Sequence, residues 1–244
     1  AIGCQPGTPR ATPEINTTVE TDPPPTDVGV GIDYVTKATL AVQSPPTGNP
    51  EPTGTSPQGK KQVVHDRAMI KAQQHYDRGI EFSVRTLHNQ AIQEYDWAID
   101  LEPDFAKAYN SRGLAYSQLG QYRTAVGNYR RAIELDPDLT DAYRNRGLAY
   151  LRAYGGNATV RKLALEDFTQ AVRLDPENAE NYILRGHAYS IVGQPQLAFE
   201  DFSQAIKLDP QNALAHAKRG DAQSKLGKHQ LGLQDFGKGL RVGP

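Results

Sequence analysis

The sequence predicts an all-α solenoid of five helix pairs, preceded by a disordered or extended Pro/Thr-rich tail. Three observations predict it. Pro103, Pro137, Pro176, Pro210 and Pro244 follow one another at intervals of 34, 39, 34 and 34 residues. A fixed period of that size marks stacked units, each too small to bury its own apolar face. An Ile/Val-x-Leu-Asp/Glu-Pro ending occurs at Ile99–Pro103, Ile133–Pro137, Val172–Pro176 and Ile206–Pro210, and an Arg-Gly pair opens each unit at Arg78, Arg112, Arg146, Arg185 and Arg219. Finally, 11 of the 17 prolines lie in residues 1–60, whereas Trp97 and every tyrosine except Tyr34 lie beyond them.

Residues 1–60 read as a tether. Pro23-Pro24-Pro25, Pro45-Pro46 and many threonines leave too little apolar surface to offset chain entropy. An extended, partly polyproline-II chain is expected. Within it Val28, Val30, Ile32 and Tyr34 alternate with Gly29, Gly31 and Asp33, the period of a strand. The segment reads either as a residual apolar stretch or as a strand that pairs with another chain's edge. The first reading is favoured, because a lone strand is unstable. Ala1-Ile2-Gly3-Cys4 resembles the end of a bacterial lipoprotein signal, although Ala1 stands where a leucine is usual. That resemblance implies acylation of Cys4; the alternatives are an ordinary free thiol and an interchain disulfide. Cys4 is the only cysteine, so an internal disulfide and a Cys-based zinc site are excluded.

Residues 61–71 read as the lead-in to the first helix, with Val63, Val64, Met69 and Ile70 introducing a pattern that runs through Gly79 and Phe82. The repeat domain spans 72–244, divided as 72–105, 106–139, 140–178, 179–212 and 213–244. The clearest unit is Ala106–Pro137. Tyr109, Gly113 and Tyr116 share one helical face before Gly120, and Ala125, Tyr129 and Ala132 share another after it. Asp136-Pro137 ends the second helix, because proline disfavours the helical conformation of the residue before it. The third unit carries five extra residues near Gly155-Gly156, where the first helix should break and Asn157 should cap an early-starting second helix. The fifth unit has Gln223 for the tyrosine and Gly232 and Gly239 for the small alanines. With Gly237 and Gly243 added, its last helix is expected to fray and to leave Leu233, Phe236 and Leu240 available for assembly contacts.

The order Tyr109, Gly113, Tyr116, Ala125, Tyr129, Ala132, Pro137 is similar to the tetratricopeptide repeat. So is the order Tyr182, Gly186, Tyr189, Ala198, Phe202, Ala205, Pro210. The resemblance covers Ala72–Pro244. It implies a right-handed TPR solenoid of five helix-turn-helix repeats whose first helices line a concave, peptide-binding face. On that reading Tyr76, Ile80, Lys107, Asn110, Leu114 and Ser117 project into the groove from the first two units. Arg144, Asn145, Leu148, Arg152, Ile183 and His187 do so from the next two. Some relatives clamp chaperone carboxylates with two lysines, two asparagines and an arginine. Only Lys107 and Asn145 match that set, and Asp77 and Leu184 stand where others are needed, so a chaperone adaptor is not expected.

No site chemistry competes with this reading. The six histidines are scattered, and no phosphate loop, nucleophile elbow or paired-acid motif occurs. No catalysis, metal or cofactor is expected. The arginine row could be taken for a polyanion reader. However, Glu94, Asn128, Asp167, Asp201 and Asp235 follow the five arginines at an offset of 16, or 21 across the insertion. That spacing predicts a bridge inside each repeat, with Arg112 lacking a charged partner. The formal net charge of −1 gives no bulk attraction for nucleic acid, and a membrane is reached only through an N-terminal anchor. The expected function is a non-catalytic protein–protein interaction scaffold, exported or envelope-associated. Its partners are unidentified proteins, a second copy of the chain among them. The alternatives are a homopolymer subunit assembled by tail exchange and end-to-end contacts, and a cytosolic peptide adaptor.

Overall fold

The computed structural model describes residues 57–154 and 157–242. The expectations for the tail, including Cys4, Val28, Val30, Ile32 and Tyr34, lie outside the described residues. Among those described, ten helices and no strand occur: α1 (Pro57–Val84), α2 (His88–Leu101), α3 (Ala106–Gln118), α4 (Tyr122–Leu135), α5 (Thr140–Tyr154), α6 (Ala158–Leu174), α7 (Ala179–Ile191), α8 (Pro195–Leu208), α9 (Ala213–Lys225) and α10 (His229–Val242). Each odd helix packs against the even helix that follows it, and each even helix against the next odd one. The odd helices also approach one another, α1 against α3, α3 against α5 and α7 against α9, so they line the inner face.

Within a pair, the Arg-Gly glycine admits the aromatic ring of the second helix. A Cβ on Gly113 would lie 2.7 Å from Tyr129 Cε1, and one on Gly147 would lie 2.7 Å from Phe168 Cε1. Tyr95, Tyr129, Phe168 and Phe202 are thereby among the largest fully buried side chains. Between pairs, alanines make the contact. Ala108 and Ala115, Ala142 and Ala149, and Ala215 and Ala222 are all at most 2% exposed.

The turn from first to second helix needs a left-handed residue. Gly120, Gly193 and Gly227 supply it at φ 75°, 79° and 77°. In the first repeat Thr86 takes the same conformation at φ 58°, which strains a β-branched residue. The glycine-poor sequence of that turn gives no warning of this. In the third repeat the Asn157 side chain accepts from the Thr159 and Val160 amides and caps α6, which has 17 residues against 14 in α4 and α8. The early start expected of that helix is therefore found.

Two expectations change. Helix α1 already begins at Pro57, and Val64, Met69 and Ile70 stay exposed on it rather than joining the core. Helix α10 is continuous to Val242. Two of its glycines are contact points, since a Cβ on Gly232 would lie 2.9 Å from Gly220 O and one on Gly239 3.0 Å from Ala213 O, whereas one on Gly237 would meet nothing within 4 Å. With Gln223 in the tyrosine's place, backbone approaches backbone more closely in this last pair.

The two ends of the solenoid differ. Gln74 and Glu81 of α1 occupy the register of the alanine pairs and are exposed, giving the first repeat a polar outer face. Leu233 and Leu240 of α10 occupy the register of Phe199 and Ile206, which pack against the α9 alanines. Among the described residues no helix lies upon them, and they are 70% and 86% exposed.

Candidate functional site

The inner face is built from the same register of successive odd helices. Ile80 of α1, Leu114 of α3 and Leu148 of α5 form a half-buried aliphatic row. Ile80 and Leu148 rest on the cores around Tyr95 and Phe168. In α7 the row continues as His187. Burial, assisted by Lys218 and Lys225 of α9, holds that imidazole down at about 4. The row is thus aliphatic at its N-terminal end and basic at the other, with Asp221 between the two lysines in the chain.

Polar rungs tie neighbouring odd helices beside this row. Ser111 Oγ donates to Tyr76 Oη at 3.3 Å, and Asn145 Nδ2 donates to Asn110 Oδ1 at 3.1 Å. Arg144 donates to Asp141 Oδ1 and Glu180 Oε2, both at 2.8 Å. Its Nε is buried and makes no hydrogen bond among the described residues. Tyr76 also packs on Phe105 and Tyr95, with ring centroids 5.0 and 5.8 Å away. Burial raises its hydroxyl pKa and pushes that of Tyr95 up to about 12.

The sequence-predicted residues therefore divide. Ile80, Lys107, Leu114, Leu148 and His187 share the inner face, with Lys107 exposed. Ser117 is half-buried and hydrogen-bonded to Tyr129. Tyr76, Asn110, Arg144 and Asn145 are engaged in holding helices together. Ile183 is 5% exposed and belongs to the core with Phe202 of α8 and Ala215 of α9. Arg152 lies over the Tyr122 ring at 6.0 Å, drawn to the edge of the solenoid. At the C-terminal end Leu233 and Leu240 are exposed as expected, whereas Phe236 packs on Gly220 and is not. Sequence reasoning missed Lys218 and Lys225, which share a helix face three and four residues from Asp221. The repeat register could have placed them.

The arginine row is internal. Arg146 Nε and Nη2 meet Asp167 at 2.9 and 2.7 Å, Arg185 meets Asp201 at 2.8 and 2.7 Å, and Arg219 meets Asp235 at 2.6 and 2.7 Å. Burial raises the Asp167 and Asp201 carboxyls, opposed by their arginines. Arg78 shares Glu94 with His75. Arg112 corrects the expectation: besides donating to Asn128 Oδ1 at 2.7 Å, it reaches Asp96 of the preceding repeat at 2.6 Å. Its charged partner is there, one unit back. Among the described residues no group of three or more His, Cys, Asp or Glu could hold a metal ion, and no helix is long and apolar enough to cross a membrane.

Fold and site together define a helix-hairpin solenoid with a lined inner face. The family model described as "TPR repeat" matches residues 88–120, 115–153 and 191–227, and these stretches carry tetratricopeptide repeats. No curated protein matches the chain significantly. Among solved structures, MamA from Desulfovibrio magneticus RS-1 is similar in fold, with a TM-score of 0.63 and 23% identity over 70% of this chain and 94% of that one. YrrB, described as a TPR protein with an unusual peptide-binding site, has a TM-score of 0.60 and 20% identity over 76% and 92%. A thermophilic TPR protein from Thermus thermophilus has a TM-score of 0.58 and 19% identity over 71% and 92%. At these identities the likeness shows the fold.

Proposed function

We propose that the chain is a non-catalytic scaffold that holds protein partners along the inner face of its odd helices. TPR proteins mediate protein–protein interaction, and the observation that carries the reading here is the row Ile80, Leu114, Leu148. Three half-buried aliphatic side chains at one register, followed by His187 between two lysines, suit a segment with aliphatic side chains and an acidic end. The test is photo-crosslinking from Leu114 and Leu148 in the native host, with Glu134 on an outer helix as control. Adducts to a defined partner from the two leucines alone support the reading; equal labelling from Glu134, or none from the leucines, refutes it. An exported, envelope-associated setting with acylated Cys4 is part of the same reading. Intact mass of the native protein checks it, and an unmodified thiol there sinks it.

A second reading, a self-assembling subunit, is favoured by the exposure of Leu233 and Leu240. The α1 end offers Gln74 and Glu81 as its mate, so head-to-tail stacking would bury a carboxylate against leucine. A symmetric α10–α10 contact fits these side chains better. Sedimentation of the purified chain decides it: a dimer that Leu240→Glu dissociates supports that contact, and a monomer at all concentrations removes it.

A further inference from the structure

Cations and acids are unevenly placed along the repeats. No Asp or Glu occurs from Phe105 to Ile133 or from Ala142 to Leu165, although both stretches are rich in arginine. Several arginines there are consumed by carboxylates, as Arg112, Arg131, Arg144 and Arg146 are. Arg123 and Arg152 are not. Both are exposed, and neither forms an ion pair among the described residues. They are held by rings instead. Arg123 of α4 lies over Tyr154 of α5 at 5.3 Å, and Arg152 of α5 lies over Tyr122 of α4 at 6.0 Å. The exchange is reciprocal across two repeats. A guanidinium that rests its face on a ring keeps its N–H edges free for a planar acceptor.

Of the pair, Arg123 runs against the helix dipole, whereas Arg152, in the last turn of α5, runs with it. Arg123 sits in the first turn of α4 and Arg161 in the first turn of α6, and neither turn contains an acid. Helix N-termini already carry partial positive charge, so cations there are unfavourable for folding. The Asn157 amide donates to Tyr154 O at 2.8 Å, which ties the start of α6 to the residue whose ring holds Arg123. Exposed arginines preset by rings, one of them at a helix start that disfavours it, are the mark of a surface kept for recognition.

We propose that this edge, where α4 begins and α5 ends, is a second docking surface, separate from the inner face, for an acidic, carboxylate-bearing segment of a protein partner. A long polyanion fits less well. The connections back to the next repeat carry Asp136, Asp138, Asp175 and Glu177, and the formal net charge of the chain is −1. The proposal takes from the scaffold reading only that partners are proteins.

The test uses the full chain and the fluorescence anisotropy of a labelled Glu-rich peptide, with its Gln-for-Glu counterpart as control. Four proteins are compared: wild type, Arg123→Gln with Arg152→Gln, Tyr122→Phe with Tyr154→Phe, and the inner-face control Lys218→Gln with Lys225→Gln. Melting curves by circular dichroism establish that each variant is folded. The Glu-rich peptide should bind wild type, the Phe variant and the inner-face variant alike, because phenylalanine keeps the ring face. It should bind the arginine variant about tenfold or more weakly, and raised salt should weaken binding to wild type. Equal binding by the arginine variant, or no binding by wild type, overturns the proposal. So does binding only to a labelled oligonucleotide or to phosphatidylserine vesicles in the same format. Loss in the inner-face variant alone overturns it while leaving the scaffold reading standing.

Discussion

Two glycines of one repeat should respond in opposite directions to the same substitution. Gly113 lies in α3 and Gly127 in α4, both within helix. A Cβ on Gly127 meets nothing within 4 Å, so Gly127→Ala should collect the helix-propensity difference of about 1 kcal/mol. A Cβ on Gly113 would lie 2.7 and 2.9 Å from the Tyr129 ring and 3.1 Å from Asn128 Cβ. Tyr129 is 1% exposed and cannot swing away. The same propensity gain is therefore set against overpacking of about 1–3 kcal/mol, for a net loss of up to ~2 kcal/mol. Propensity cancels between the two variants, so their difference isolates the packing of helix on ring. Urea unfolding followed by circular dichroism measures it, and the matching difference in Tm is about 2–4 °C per kcal/mol for a chain of this size. Truncating the ring supplies the control: in a Tyr129→Leu background the Gly113→Ala penalty should shrink. If Gly113→Ala stabilises as much as Gly127→Ala does, the close approach assigned to the Arg-Gly glycine is wrong.

Three more perturbations read other parts of the structure. Thr86→Gly should raise stability by about 1 kcal/mol, by relieving the left-handed strain that glycines avoid in three other repeats; an unchanged urea midpoint would show that the turn is unstrained. His187 is held at about 4 in the folded chain against an ordinary 6.5, so the unfolded chain gains its proton first as pH falls. The stability it contributes is intact above about 6.5 and is lost on descending to about 4, on the order of 3 kcal/mol in all. His187→Gln should flatten that part of the pH profile, and an identical profile refutes it. Asp201→Ala should cost about 3 kcal/mol by leaving Arg185 unpaired, whereas Asp201→Leu combined with Arg185→Met should return close to wild type; a double variant as unstable as the single one would show that the pair is net stabilising.

Much of the architecture was legible because the forces that set it are local and repeat. Proline after Leu-Asp ends a helix wherever it stands, and a glycine opposite an aromatic ring is required in each hairpin. The 16-residue offset between arginine and acid is a property of the hairpin, so the sequence alone predicted the Arg146, Arg185 and Arg219 pairs that the structure contains. Asn157 was legible as a cap for the same reason. Contacts between repeats were not, because no local rule selects their partners: Asp96 lies 16 residues before Arg112, the same separation as a pair inside one hairpin, but across a repeat boundary. Asp96 became the partner of Arg112 only once α2 and α4 both flanked α3. Ile183 passed from groove to core, and Arg152 from groove to edge, through neighbours a repeat distant. The last helix shows the difference most plainly. By propensity alone Gly232 and Gly239 weaken α10. Packed on α9, the same glycines let two backbones come within contact, and helix propensity is too small a term to decide against that burial.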